Sequence, residues 1–399
     1  MPARYVMKKL FAVTVVLLLV LSSTVPAMYP STQEASAEAL RQLQAVPTAF
    51  TAATPVLPGS EPPGPLAPLP TPTPFPRPQT WIAGETSVSR LSENDRRQRL
   101  GVPLEVLEWE RLQASRASAR TGVLYSYPST KDWRNIDGQD WTTAIRDQGN
   151  CGSCVAFGTV GAIESRLEIV HNNPGLSPDL SEAHLFFCNG RRCDTGWWPS
   201  AAMNYARDTG IADEACYPYA DHDQPCNLCS NWQSRVRKIT SWTGTSNVAA
   251  MKQALADKGP FEATMTVYTD FFYYLEGIYR YTWGEEEGGH AITIVGYDDN
   301  GGYWIAKNSW GTEWGEGGWF RIAYGECGID DYAYIPCLLF GDLDGDKDVD
   351  VNDIQAVANR WRQRSGDPGW EARFDVNGDG VINIVDIMKV AAHWGETCE

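Results

Sequence analysis

All ten cysteines of this chain fall after residue 150, behind a leader that reads as an export signal, so the body that carries them is first of all a candidate for a disulfide-framed fold. Arg4, Lys8 and Lys9 precede an apolar run from Leu10 to Leu21, and Val25-Pro26-Ala27 supplies a small-residue cleavage site, which makes residues 1–27 a signal peptide. A membrane span needs about 20 apolar residues, so no membrane association is expected once the leader is cut. An uncleaved anchor is the alternative, and it also exports the body. Two cysteine pairs, Cys151 with Cys154 and Cys226 with Cys229, have the spacing of zinc ligands. Only His222 lies near either pair, however, and no second ligand pair follows at finger-like spacing.

Charge and composition then divide the chain. The 399 residues exceed one average domain, and the formal net charge of -17 argues against nucleic acid or an anionic membrane surface as partner. From Gly341 onward there are 13 acidic against 6 basic residues, a cluster that either stays solvated or holds cations. Residues 48–78 are dominated by Pro, Ala, Thr and Gly and form an extended tether with no core. From Ser87 to Arg120, mixed charge with Leu100, Leu104, Leu107 and Leu112 predicts one or two amphipathic helices. Residues 28–123 are therefore read as a pro-segment, with a plain linker as the alternative. An aromatic-rich body follows at 124–338, and the acidic module occupies 341–399.

A polar loop, Asp147-Gln148-Gly149-Asn150-Cys151-Gly152-Ser153, leads into Cys154, and the apolar residues Ala156, Val160, Ile163, Leu167 and Val170 share one helical face behind it. Cys154 thus falls in a first helical turn, where free N–H groups and the positive end of the helix dipole favour the thiolate. A nucleophilic cysteine needs a base. His290 opens the strand-like run Ala291–Val295, and a second run, Tyr303–Ala306, leads to Lys307 and Asn308, with Asp298-Asp299-Asn300-Gly301-Gly302 as the turn between them. In such a hairpin, residues whose numbers sum to about 600 face each other, which brings His290 within two positions of opposing Asn308.

The run Gln148 to Phe157, the string Gly289-His290-Ala291 and the string Asn308-Ser309-Trp310-Gly311 resemble the active-site segments of the papain and cathepsin family. Asp132-Trp133-Arg134, Leu180-Ser181-Glu182 and Tyr217-Pro218-Tyr219 extend the likeness over about half the chain, and Val155 departs from it where the family has an aromatic residue. The resemblance implies an α+β fold with a helical lobe and a β-barrel-like lobe. It implies that Cys154 attacks the scissile carbonyl, that His290 is the base oriented by Asn308, and that Gln148 stabilises the oxyanion with the backbone N–H of Cys154, with no cofactor for catalysis. It further implies disulfides Cys151–Cys193 and Cys188–Cys226, leaving Cys154 free. Proximity in sequence suggests Cys216 with Cys229 and Cys327 with Cys337, which leaves Cys398 unpaired. Gly196 would pair with substrate backbone, Trp198 would stand beside it, Tyr332 would close the floor of the main pocket and favour medium apolar side chains, and Trp314 would lie on the leaving-group side, with Trp310 shielding the His290–Asn308 bond.

Two acidic segments repeat at 33 residues. Asp342, Asp344, Asp346, Asp350 and Asp353 stand at positions 1, 3, 5, 9 and 12 of a loop, and Asp375, Asn377, Asp379, Asn383 and Asp386 stand at the same positions of the second. Hard oxygen ligands at this spacing wrap Ca²⁺, with the carbonyls of Asp348 and Val381 at position 7, so two calcium ions are expected. Lys347 replaces the sharp-turn glycine that Gly380 supplies in the second loop. Each loop leads directly into a helix-like run with no entering helix, which resembles dockerin modules, small all-α domains whose partner is a cohesin domain on a scaffold protein. By that likeness Val351, Asn352, Ile384 and Val385 would face the partner; a calcium-stabilised cap without a partner is the alternative. The resulting expectation is a secreted endopeptidase of protein or peptide substrates, free or attached to a scaffold or the cell surface. A thiol oxidoreductase using Cys151 and Cys154, and a noncatalytic scaffold-borne binding protein, are the competing readings.

Overall fold

The computed structural model describes residues 80–117 and 125–398. The signal sequence and the Pro-rich tether lie outside the described residues. The chain enters through strand β1 (Trp81–Ala83), helix α1 (Glu93–Gln98) and helix α2 (Leu104–Ala117), so the mixed-charge stretch does form two helices. The body begins with β2 (Thr130–Asp132) and continues through helices α3 (Cys154–Val170), α4 (Glu182–Phe187) and α5 (Pro199–Asp208). Then come β3 (Ser241–Thr245), α6 (Val248–Lys258), β4 (Phe261–Tyr268), β5 (Tyr274–Tyr279), β6 (Glu286–Asp298), β7 (Tyr303–Lys307), β8 (Trp319–Ala323) and β9 (Ala333–Cys337). Helices α7 (Val351–Ala358) and α8 (Ile384–Ala392) complete the chain.

The strands form one sheet in the order β1-β5-β8-β7-β6-β4-β9-β3, with β2 added to β6. Trp81, Phe261, Ile292, Trp304, Trp310 and Trp314 belong to a core on one side of it. Val155, Val160, Ile163, Phe186 and Met203 belong to a second core among the helices. Between these two cores β6 is buried from Gly289 to Tyr297 rather than alternating in and out. Both its faces are covered, which is why its apolar pattern is nearly continuous. Helix α3 likewise departs from a single apolar stripe: every residue from Cys154 to Glu168 is buried. Its rear face presses on the sheet, where a Cβ on Gly161 would come within 2.7 Å of Thr293 Oγ1, so a larger residue would push the lobes apart.

The hairpin of β6 and β7 pairs Thr293 with Lys307 and Ile294 with Ala306, then shifts by one at an irregularity near Gly296. That register carries His290 and Asn308 to the same end of the hairpin.

Among the described residues four disulfides are present: Cys151–Cys193, Cys188–Cys226, Cys216–Cys229 and Cys337–Cys398. The expected bond between Cys327 and Cys337 does not form, and Cys398 is not the unpaired cysteine. Antiparallel pairing of β4 with β9 explains the difference. The Cys327 carbonyl accepts from Thr266 N at 2.8 Å, whereas Cys337 lies past the Glu262 end of the same strand, whose partner is Tyr334. Four extended residues span roughly 13 Å, well beyond the roughly 7 Å that a disulfide tolerates between Cα atoms. Cys327 stays a free thiol, and burial pushes its acidity down.

Candidate active site and calcium loops

The loop before α3 is held from both sides. Cys151 is bonded to Cys193, and Gly152 N donates to Cys193 O at 2.9 Å. Gln148 N donates to Ser309 O at 2.9 Å, while the Gln148 side chain accepts from Ser309 Oγ at 2.6 Å and donates through Nε2 to Cys151 O at 2.7 Å. The buried Gln148 amide is therefore aimed rather than free to rotate. Cys154 follows as the first residue of α3, fully buried and free of any disulfide. With Cys151 bonded elsewhere, a dithiol pair of Cys151 and Cys154 is ruled out.

His290 and Asn308 meet at the hairpin end, His290 Nε2 lying 2.8 Å from Asn308 Oδ1. The Trp310 ring lies against the imidazole with centroids 4.7 Å apart and is itself buried, so water is kept from that bond. The other imidazole nitrogen, Nδ1, is buried with no hydrogen-bond partner. A nitrogen in that position is costly unless something else comes to it.

Residues 99–102 of the entering segment cross this site. Gly101 N donates to Cys154 Sγ at 3.3 Å, and Arg99 O accepts from Gln148 Nε2 at 2.9 Å. Gly101 O accepts from Trp197 N at 2.8 Å, and Val102 N donates to Gly289 O at 3.0 Å. The approach is close enough to demand glycine: a Cβ on Gly101 would sit 2.0 Å from Gly152 O. Upstream, Trp81 and Ile82 pair with Gly277 and Glu276 of β5, and Arg99 Nη1 binds Asp147 Oδ1 at 2.9 Å. Covered in this way, the Cys154 thiol is pushed up to about 11 by loss of water, and His290 is pushed down to about 4 for the same reason. Both groups are neutral near pH 7 in this state, even though the backbone N–H groups of Ala291 and Gly101 favour the thiolate.

In the C-terminal module, Asp353 and Asp386 act as the third-residue partners of capping boxes with Asp350 and Asn383. Carboxylate oxygens of Asp342, Asp344 and Asp353 lie within 4.8 Å of one another, as do those of Asp346, Asp348 and Asp350. Asp348 Oδ1 is buried without a partner, and the donors are all hard oxygens, so the first loop fits a calcium ion. In the second loop, Asp375 carboxylate oxygens accept from Asp379 N and Gly380 N, and Asn377 Oδ1 also accepts from Asp379 N. Val381 O accepts from Asn383 Nδ2 at 2.9 Å. The repeat is visible in space as well, since Asp348 bridges Thr397 and Arg364 bridges Val381, each related to the other by 33 positions. Lys347 adopts the left-handed φ of 78° that its glycine counterpart Gly380 adopts at 83°.

Residues 127–337 match the family model of the papain family cysteine proteases, and residues 340–393 match that of the dockerin type I domain. The chain belongs to the papain family of cysteine proteases. It is 35% identical over 205 residues to the cathepsin B-like CP2 of Giardia intestinalis, covering 48% of this chain and 68% of that protein. It is 32% identical over 251 residues to a gut-specific cysteine proteinase of Caenorhabditis elegans, covering 54% and 75%. Among solved structures, proCathepsin B S9 from Trypanosoma congolense is similar with a TM-score of 0.53 at 25% identity, over 64% of this chain and 93% of that one. Procathepsin L2 of the Tenebrio molitor larval midgut is similar with a TM-score of 0.52 at 27% identity, over 65% and 85%. The chain is thus a papain-like cysteine peptidase with a C-terminal dockerin.

Within this papain-family cleft the four candidate subsite residues are placed unevenly. Gly196 has a φ of 58°, and a Cβ there would meet Gly101 O at 2.5 Å, so it lies against the crossing segment. Trp198 precedes α5 and is partly exposed, while its neighbour Trp197 is buried and makes the backbone contact to Gly101. Tyr332 turns its hydroxyl toward Gly244 of β3, where an added Cβ would be 2.0 Å away, and packs its ring on Trp109 of α2 at 4.9 Å. Trp314 is fully buried among Phe271, Tyr274, Trp310 and Phe320. The residues that sequence reasoning passed over are Thr264 and Tyr334, whose hydroxyls hold Glu110 of α2. One signal for them was available: Glu110 follows Val106 and Leu107 at helical spacing, so a carboxylate stands in the buried stripe of α2.

Proposed function

We propose that this chain is secreted as a latent endopeptidase, that Cys154, His290, Asn308 and Gln148 carry its chemistry, and that its dockerin docks it to a cohesin-bearing scaffold. The observation that carries the reading is the convergence of the His290–Asn308 bond, the free Cys154 at a helix start and the Gln148 amide donating to a peptide carbonyl.

Once the segment at 99–102 leaves, water and substrate replace it. The Cys154 thiol passes its proton to Nδ1 of His290, whose Nε2 is held by Asn308 in the orientation this requires. The thiolate adds to the scissile carbonyl, and the oxygen takes the position of Arg99 O, receiving hydrogen bonds from Gln148 Nε2 and the backbone N–H of Cys154. His290 then protonates the departing amine, and water attacks the thioester by the reverse sequence. Direction accounts for the survival of the covering segment. Arg96 lies over Phe272, which stacks on Trp310, while Gly101 lies on Trp197, so the segment runs from the Trp310 side to the Gly196 side. A substrate with its acyl part at Gly196 and its leaving part near Trp310 runs the other way.

Two calcium ions would complete the dockerin, one held by Asp342, Asp344, Asp346, Asp350 and Asp353 with the Asp348 carbonyl, the other by Asp375, Asn377, Asp379, Asn383 and Asp386 with the Val381 carbonyl. Calcium supplies charge neutralisation that lets these carboxylates pack together. Val351, Ile384 and Val385 are large apolar side chains left exposed, the composition of a protein-binding face, with Asn352 beside them.

The test is hydrolysis of a mixed fluorogenic peptide library by the processed chain under mild reduction, beside Cys154→Ala. Turnover that persists in the variant, or none in either, refutes the catalytic assignment. Calcium titration by calorimetry checks the ion count, and a panel of cohesin domains assayed with calcium and with chelator checks the partner.

A further inference from the structure

The covering segment leaves an impression of what the cleft accepts. Val102, Val106 and Leu107 pack in the same apolar cluster as Cys154, Trp197, Ala291 and Tyr334, and Leu107 reaches to 3.2 Å from where a Cβ on Gly289 would be. Behind Leu107 stands Glu110, a carboxyl only 1% exposed. Its Oε1 accepts from Tyr334 OH at 2.7 Å, and its Oε2 accepts from Thr264 Oγ1. Thr264 is the residue opposite Ala291 on the neighbouring strand, and Met265 is opposite His290. The two hydroxyls therefore face a chamber that the Glu110 side chain fills, one strand away from the residue that follows the base.

We propose that this chamber is the peptidase's main specificity pocket and that Thr264 and Tyr334 make it select an uncharged hydrogen-bonding side chain, a carboxamide or a carboxyl in its protonated form. The proposal rests on the peptidase reading above and deepens it. The surroundings exclude a carboxylate. From β4 the pocket faces Glu262, fully buried, whose Oε2 accepts from Thr159 Oγ1 at 2.7 Å and whose Oε1 has no partner. From β9 and the turn before it come Tyr334, Tyr332 and Asp331, and burial holds the Asp331 carboxyl up at about 6. The cation on α2 nearest to the chamber, Arg111, is turned to Thr266 Oγ1 at 2.8 Å and leaves with the segment. Burial accordingly raises the Glu110 carboxyl to about 7. The surroundings also disfavour a purely apolar occupant, because it would leave two hydroxyls without partners in a dry site. Tyr332, the floor expected from the sequence, has its hydroxyl toward Gly244 and its ring on Tyr334 at 4.9 Å, so the polar pair Thr264 and Tyr334 stands beside it.

The experiment uses the processed chain and four fluorogenic peptides that differ only at the second residue on the acyl side: Gln, Glu, Leu and Lys. Each kcat/KM is taken as a ratio to the Leu peptide in the same preparation, so folding losses cancel. The expected result is that Gln exceeds Leu roughly tenfold or more. Thr264→Val and Tyr334→Phe should each lower that ratio roughly threefold to tenfold, the size of one neutral hydrogen bond. The Glu to Gln ratio should fall about tenfold per pH unit between 4.5 and about 7, the ordinary and buried values of the Glu110 carboxyl. A Leu peptide that is best and indifferent to both substitutions overturns the proposal. So does a Lys peptide that is best, which would make Glu262 an ionised partner of basic side chains. No turnover of any peptide refutes the peptidase reading itself and this proposal with it.

Discussion

Glu110→Gln in the covering segment should remove a pH dependence from its docking. In the docked state Glu110 is almost fully buried between Thr264 and Tyr334 and its carboxyl is raised to about 7, whereas a released segment returns it to the ordinary 4.5. A group whose bound value is raised contributes fully below its free value, and the contribution is lost as pH rises toward the bound value. Docking should therefore weaken tenfold per unit from pH 4.5 to about 7, close to 300-fold in all, or about 3 kcal/mol. The consequence is a segment that holds tightest in acid and lets go toward neutrality. Glutamine keeps one acceptor and the same length but does not titrate, so its affinity should lack this tenfold-per-unit fall over that window. The assay is the inhibition constant of a synthetic peptide spanning residues 80–117 against the processed chain from pH 5 to 8, wild type beside Glu110→Gln. Asp331 and the pairs Arg97–Glu287 and Arg99–Asp147 are common to both peptides, so the difference in slope isolates Glu110. Equal slopes would refute the reasoning, because they would mean that Glu110 docks ionised or not at all.

Three further outcomes are expected. Gln148→Ala should cut kcat by about 100- to 1,000-fold with a smaller change in KM, as measured by steady-state kinetics, because one oxyanion donor is worth about 3 kcal/mol; an unchanged kcat would remove Gln148 from the mechanism. Cys398→Ala opens a covalent loop whose ends are 61 residues apart and should destabilise the C-terminal module by up to about 4 kcal/mol, seen as an early transition in calorimetry while peptide hydrolysis persists. Lys347→Gly relieves a left-handed backbone at φ 78° and should stabilise the calcium-loaded first loop by about 1 kcal/mol, read as tighter calcium binding in a calorimetric titration.

Parts of this molecule that depend on short stretches of chain were legible in the sequence. A turn of known composition and two flanking runs suffice to bring His290 and Asn308 together, since the register Thr293–Lys307 follows from the turn alone. The start of α3 at Cys154 follows from a polar loop meeting an apolar period, and the 33-residue repeat announces two related loops and helices. In each case backbone hydrogen bonding and hydrophobic periodicity act over a few residues, so the information is local.

What only the tertiary structure decided involves surfaces brought together over long sequence distances. The free state of Cys327 and the Cys337–Cys398 bond depend on which ends of β4 and β9 are adjacent and on where the tail returns. The burial of α3 on all sides depends on a sheet more than 100 residues later. Tyr332 lay within reach of the cleft in sequence, but its direction was set by the space over Gly244 and by the Trp109 ring. The acidity of Cys154 shows the division most directly. The sequence determined a thiol at a helix start, where the dipole lowers its pKa. The fold buried it completely, and loss of water outweighed the dipole and the N–H groups of Ala291 and Gly101, because desolvating a charge costs more than these return.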